Sequence, residues 1–350
     1  MKLRIFTLIL ALLMLSLPLA ACKPAEENPS DTPTAERKLT VDLDLTAEWN
    51  KVAAEGSLVQ GCVVVRKDFL EANPDAVTEF LSAYESSIDF LNHSTEQAAQ
   101  MVVDQGIFNS APVVKKAVPK SNVRYVDGEA MKSAMQTYLT VLHSINPASI
   151  GNALPADDFY YIPADNTSAN EDLSDLTVKV YTLNGTTGFG MAKLMNDAKA
   201  GNTALQYEFT VKTDAAEVLA AIINGDADIA ALPTNAATNV YNKTGGKVAV
   251  LAINTLGCLY LMNNTGVAVN SMADLKGKTV YVPAQNPTFI FTYLCKQNGL
   301  VIGTDITIDS TTYSTPALLR DAVAAGEVDY AVLPEPMVTI AQNAAANAGK

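Results

Sequence analysis

The chain has 350 residues, 49% of them hydrophobic and 17% charged, with a formal net charge of −13. So acidic a surface disfavours contact with nucleic acid and with anionic lipid. The hydrophobic content is ample for two cores, and the length alone points to two domains.

In chain order, Lys2 and Arg4 precede an apolar run over 5–21 that is too short for a secure spanning helix and reads as an export signal over 1–21. Residues 22–36 then form a tether, because Pro, Glu, Asn, Ser, Asp and Thr cannot bury enough surface to offset their ordering entropy. With Lys2 and Arg4 removed, 37 acidic residues face 22 basic ones, a net charge of −15. No later apolar stretch reaches spanning length. From 37 to 162 helices predominate: a strand at 39–43, a short helix containing Trp49, a β-branched run at 62–65, and amphipathic helices at 73–92, 95–105, 111–118 and 128–144. The polar stretch 163–172 is the best internal linker.

From 176 onward strands and helices alternate. The order is a strand at 177–183, a glycine-rich turn, a helix at 190–199, strands near 207–211 and 229–233, and a strand at 248–253. A second series copies it, with a strand at 279–282, a loop at 283–288, a helix at 289–298 and a strand near 306–310. Each series closes on the same unit, and the copies lie 101 residues apart. An apolar-periodic helix (217–223, 317–324) ends at Gly225 or Gly326, an acidic pair follows (Asp226 and Asp228, Glu327 and Asp329), and a short apolar strand stops at Leu232-Pro233 or Leu333-Pro334. Val180-Tyr181 and Val280-Tyr281 correspond as well. Alternation with short loops implies parallel, doubly wound sheets, and a duplicated half implies two facing lobes. The loops after the strands then lie at carboxyl ends, where open α/β sheets bind ligands.

Cys62, Cys258 and Cys295 read as small buried apolar residues, with a disulfide between two of them left open.

The run Leu19-Ala20-Ala21-Cys22 resembles the lipobox of bacterial lipoproteins, which implies a lipidated Cys22 at the mature N-terminus and an extracytoplasmic protein anchored to the cell membrane. Asn184-Gly185-Thr186-Thr187-Gly188-Phe189-Gly190, Leu232-Pro233-Thr234-Asn235, Asn254-Thr255-Leu256-Gly257, Asp274-Leu275-Lys276-Gly277-Lys278 and Leu333-Pro334-Glu335-Pro336 together resemble the substrate-binding lipoproteins of ABC importers. Within these the likeness is to the NMT1/THI5-like, sulfonate- and nitrate-type group. The resemblance implies an α/β, type II periplasmic-binding-protein-like fold of two doubly wound lobes with a hinge. It also implies a small-molecule ligand, an ABC permease as partner, a monomer, no cofactor and no enzymatic activity. One departure is large: in that family the segment beginning near Leu176 comes first and the segment with Trp49 and 154–161 comes last, so the chain reads as circularly permuted. Lobe 1 would then be 61–262 and lobe 2 would be 39–60 with 263–350, with hinge strands near 59–65 and 258–263.

Candidate ligand groups lie in four loops and one crossing segment. Asn184, Thr186, Thr187 and Gly188 combine hydroxyls with close backbone approach and a following helix N-terminus. Gln285, Asn286 and Thr288 offer amides that both donate and accept. Thr234 and Asn235 follow one repeated strand and Glu335 follows the other, with Glu335 equally readable as a helix cap. Thr255 represents the crossing segment, and Tyr181, Tyr241, Phe289 and Tyr313 are stacking candidates whose commoner role is core packing. No Arg or Lys falls in these loops, which weakens charge-paired sulfonate or nitrate binding and leaves a neutral or cationic heterocycle open. His93 and His143 sit on helices remote from the loops, and Asp157-Asp158 reads as turn capping. Two other functions stay open: a thiamine-precursor-type enzyme on the same fold and a ligand-sensing module for a signalling partner.

Overall fold

The computed structural model describes residues 38–163 and 173–349. The expected signal, tether, Cys22 and most of the 163–172 linker lie outside the described residues. The chain runs β1 (Thr40–Asp44), α1 (Leu45–Asn50), β2 (Gly61–Arg66), α2 (Lys67–Ala72), α3 (Pro74–His93), α4 (Thr95–Asp104), α5 (Ala111–Ala117), β3 (Val123–Val126) and α6 (Gly128–Ile145). It continues with β4 (Thr177–Leu183), α7 (Thr186–Phe189), α8 (Ala192–Lys199), β5 (Gln206–Lys212), α9 (Ala215–Asn224), β6 (Ile229–Pro233), α10 (Thr234–Thr244) and β7 (Val248–Thr255). The last part is β8 (Leu259–Asn263), β9 (Thr279–Tyr281), α11 (Asn286–Gln297), β10 (Thr307–Asp309), α12 (Pro316–Ala325), β11 (Tyr330–Pro334) and α13 (Met337–Asn347).

Two sheets result, in the orders β3-β7-β2-β6-β4-β5 and β1-β8-β11-β9-β10. Superposing the orders matches β5, β4, β6, β2 and β7 with β10, β9, β11, β8 and β1. The pairing senses agree throughout. β4 is parallel to β5 and β6, as β9 is to β10 and β11, while β2 and β8 run antiparallel to both neighbours. The duplication in sequence is therefore a duplication of topology. The local cause is shared: α9 is capped by the Asp214 carboxylate accepting from the Ala216 N–H at 2.8 Å, α12 by the Thr315 hydroxyl accepting from the Leu318 N–H at 3.3 Å, and each helix ends on a left-handed glycine.

The strand matching β7 in the second sheet is β1, from the opposite end of the chain. Leu39 shares one apolar cluster with Val338, Ala341 and Ala345 of α13, so the chain's two described ends lie in the same half. β8, which the sequence reading assigns to the end of lobe 1 and to a hinge, belongs wholly to the second sheet, and β2 wholly to the first. The crossings are the short stretches just before these strands. Hydrogen-bond demand explains this, since a strand with neighbours on both sides satisfies its backbone only inside one sheet.

Helices cover both faces of each sheet. One face of the first sheet packs under α3, α4 and α8, and one face of the second under α12 and α13. The remaining faces feed a single continuous cluster rather than two separate cores, because α6 and Trp49 join them. Trp49 meets Tyr138 of α6 edge-on at 5.8 Å and Tyr293 of α11 at 4.8 Å, and its indole N–H donates to the Ser57 hydroxyl at 2.9 Å. No helix among the described residues is long and apolar enough to cross a membrane.

Candidate functional site

The Leu-Pro strand ends make two equivalent corners. After β6, the Thr234 N–H donates to the Gln60 carbonyl at 3.1 Å; after β11, the Glu335 N–H donates to the Cys258 carbonyl at 3.0 Å. The corners are tied together, because the Cys258 N–H donates to Oε1 of Gln60 at 2.6 Å. Gln60 and Cys258 immediately precede β2 and β8, so this bond closes the point at which the chain crosses between sheets.

Groups from both halves converge on Cys258. The Thr186 hydroxyl reaches its thiol, while burial, the dominant cause, pushes that thiol up to about 12. Tyr138 lies within electrostatic range of Cys258 and donates its hydroxyl to Oδ1 of Asn286 at 2.8 Å. Oγ1 of Thr46 rests against the bare backbone of Gly257, buried and without a hydrogen-bond partner. The carboxylates of Asp44 and Glu335 both act on Cys258 and Tyr260. The nearest cation is Lys120, 4.0 Å from Glu335.

Thr186 and Thr187 form the first turn of α7, a short helix inside the expected glycine-rich turn, and the expected 190–199 helix is α8, beginning at Ala192. Thr187 places its carbonyl 3.4 Å from the Asn254 amide, whereas Asn184 is exposed. A Cβ on Gly188 would run into the Leu183 carbonyl. Thr234 and Asn235 begin α10 instead of lying in a loop, because the chain turns helical directly after Pro233. The Thr234 hydroxyl is fully buried without a hydrogen-bond partner, its near neighbour being the weakly bonding Cys62 thiol, and Oδ1 of Asn235 is also unpaired. Thr255 is buried and donates to Oδ1 of Asn254 at 3.0 Å.

The second half differs in detail. α11 begins at Asn286, three residues before the expected start, since Pro287 fits the first turn. Gln285 is exposed and holds φ +68°, matching φ +81° at Gly185 one repeat earlier, in a region that glycine adopts without strain and glutamine does not. Thr288 bonds the Pro283 carbonyl at 2.8 Å, at the position where Gly188 sits over Leu183. Asn286 is almost fully buried and already bonded to Tyr138, so truncating it leaves a buried phenol unpaired and is not neutral for folding. Glu335 is 1% exposed and caps α13 by accepting from the Thr339 N–H at 3.1 Å and its hydroxyl at 3.0 Å. Burial raises its pKa, against those two hydrogen bonds and Lys120.

Sequence reasoning missed Gln60, Tyr138 and Cys258 as site residues. Cys258 follows the flagged stretch Asn254 to Gly257 directly, and that adjacency was the available signal; Tyr138 gave none, being one more apolar position on an amphipathic helix. Tyr241 packs on Phe159 and bonds Asp158, which also pairs with Lys67 at 2.6 Å. Tyr313 packs on Tyr281. All three described cysteines are free and buried. Among the described residues no group of His, Cys, Asp and Glu is placed to hold a metal ion.

Residues 195–348 match the family model described as ABC transporter, phosphonate, periplasmic substrate-binding protein. Among solved structures, similarity is found to an ABC transporter from Parabacteroides distasonis (23% identity over 49% of this chain and 56% of that one, TM-score 0.34). It is also found to the aliphatic sulphonate binding protein SsuA from Escherichia coli (18% identity, 48% and 54%, TM-score 0.35). The chain thus spans little more than half the length of these two solved chains. No curated protein sequence matches it. From α8 to α13, residues 195–348, the chain is similar to the periplasmic substrate-binding proteins of phosphonate-type ABC transporters.

Proposed function

We propose that this chain is the extracytoplasmic solute-binding receptor of an ABC importer, a monomer without cofactor that captures a small polar organic molecule between its two halves and delivers it to a permease. The observation that carries this reading is the pair of equivalent corners, Thr234 on Gln60 and Glu335 on Cys258, facing one crossing point with unpaired hydroxyls beside it. A ligand supplies the missing partners when it binds, and closure around it is the state a permease recognises by differential affinity. The family match over 195–348 supports the role. The contacting set we propose is Asn184, Thr186, Thr187, Gly188, Thr234, Asn235, Thr255, Gln285, Asn286, Thr288 and Glu335. Micromolar capture corresponds to about −8 kcal/mol, within reach of several oriented hydrogen bonds and excluded water.

Two finer points belong to the same reading. Lipidation of Cys22 tethers the receptor to the membrane, and the lipobox-like run supports it. The segment order is a circular permutation within the NMT1/THI5-like group, supported by β1 completing the second sheet from the far end of the chain. Thermal-shift screening of the full chain in detergent against sulfonates, phosphonates, pyrimidines and amino acids tests the function. A true ligand raises the melting temperature by an amount set by its concentration over Kd, and a screen in which no solute does so overturns the reading. Rejoining 173–349 ahead of 38–163 tests the permutation: the same circular dichroism and cooperative melting are expected, and a molten product rejects it.

A further inference from the structure

The corners are equivalent in backbone and opposite in chemistry. Thr234 is neutral; Glu335, 101 residues later in the repeat, is a buried carboxylate. A second carboxylate, Asp44, caps α1 through the Thr46 and Ala47 N–H groups and acts on the same Cys258 and Tyr260. Against these two stands Lys120, whose side chain is 47% exposed and whose carbonyl is held by the Tyr260 hydroxyl at 2.8 Å. None of the strand-end loops adds a Lys or Arg. The field at the crossing is therefore negative, and it is little screened at Glu335, which is itself shielded from water. Independently of the charges, the fully buried Thr234 hydroxyl has no neighbour at the same crossing stronger than the weakly bonding Cys62 thiol, and Oδ1 of the adjacent Asn235, an acceptor that only a donor can satisfy, is unpaired.

We infer that the group recognised at this crossing is a hydrogen-bond donor of zero or positive charge, an amine, amidine or heterocyclic N–H, and not a phosphonate or sulfonate anion. This rests on the receptor reading above and narrows it, in a direction the name of the matched family does not give. An anion placed beside Glu335 and Asp44 meets two like charges and one half-exposed lysine, whereas an N–H donor meets carboxylate and amide oxygens.

Titration calorimetry on the full chain in detergent separates the cases, using agmatine, benzamidine, cytosine and 4-aminopyrimidine against ethylphosphonate and ethanesulfonate. At least one of the first four is expected to bind, and Glu335→Gln to weaken that binding at least tenfold while neither anion binds. Where Glu335→Gln does not fold, Thr234→Val replaces it, with the same tenfold weakening expected. Binding of either anion, or amine binding unchanged in the variant that folds, overturns the inference and leaves the receptor reading standing. Silence from all six probes overturns the inference too, and only silence across the wider solute screen reaches the receptor reading itself.

Discussion

The two sheets share strand order, pairing sense and helix caps, yet the turns that follow their first parallel strands solve one geometric problem differently. After β4, Gly185 supplies the positive φ and Gly188 lets the chain pass over the Leu183 carbonyl; after β9, Gln285 adopts the positive φ under strain and Thr288 bonds the Pro283 carbonyl. Backbone geometry is thus common to both halves, while the side chains placed on it are free to diverge. The contrast of Thr234 with Glu335 at matching strand ends is one such divergence, and the proposed binding chemistry rests on it.

The comparison can be broken most severely where the halves join. Trp49→Ala removes ring contacts to Tyr138 on one side and Tyr293 on the other. A loss of about 3–5 kcal/mol, typical of a buried Trp-to-Ala change, is expected in urea unfolding. Next come the paired turns. Gly188→Ala drives a methyl into the Leu183 carbonyl and is expected to cost about 1–3 kcal/mol, whereas Thr288→Gly loses one hydrogen bond and is expected to cost about 1 kcal/mol. Equal costs in parallel melts would show that the turns are not differently built.

Gln285→Gly sharpens the comparison in the other direction, since restoring the residue of the first repeat relieves the strained φ and is expected to stabilise by up to about 1 kcal/mol. The smallest effect concerns pH. Burial raises the pKa of Glu335, so its contribution to stability is full below the ordinary glutamate pKa and is lost as pH rises through the raised value. Lys120, Asp44, Cys258 and Tyr260 are the ionisable groups facing it. Asp309 works oppositely: the Thr312 hydroxyl and the Thr311 and Thr312 N–H groups hold it at about 2, so its stabilisation is lost as pH falls through that value. Urea midpoints measured across pH should flatten on the alkaline side in Glu335→Gln and on the acid side in Asp309→Asn, and Thr234→Val should flatten neither.

The repeat, the alternation of strands and helices and most elements were legible in the residues, with α2, β3, α7 and α10 the exceptions, because apolar period, capping residues and glycine and proline stops are local properties that each segment carries with it. Strand 177–183 and the helices of 73–144 appear within a residue or two of where the pattern put them. The sequence also determined that no basic residue enters the strand-end loops and that the two Leu-Pro units match. Only the tertiary structure decided that Gln60 bonds Cys258, that Tyr138 reaches Asn286 across 148 positions, that Thr234 opens a helix, and that one apolar cluster joins both sheets. These are meetings between segments distant in the chain. They follow from how twisted sheets and their covering helices close-pack, which no local pattern of residues encodes.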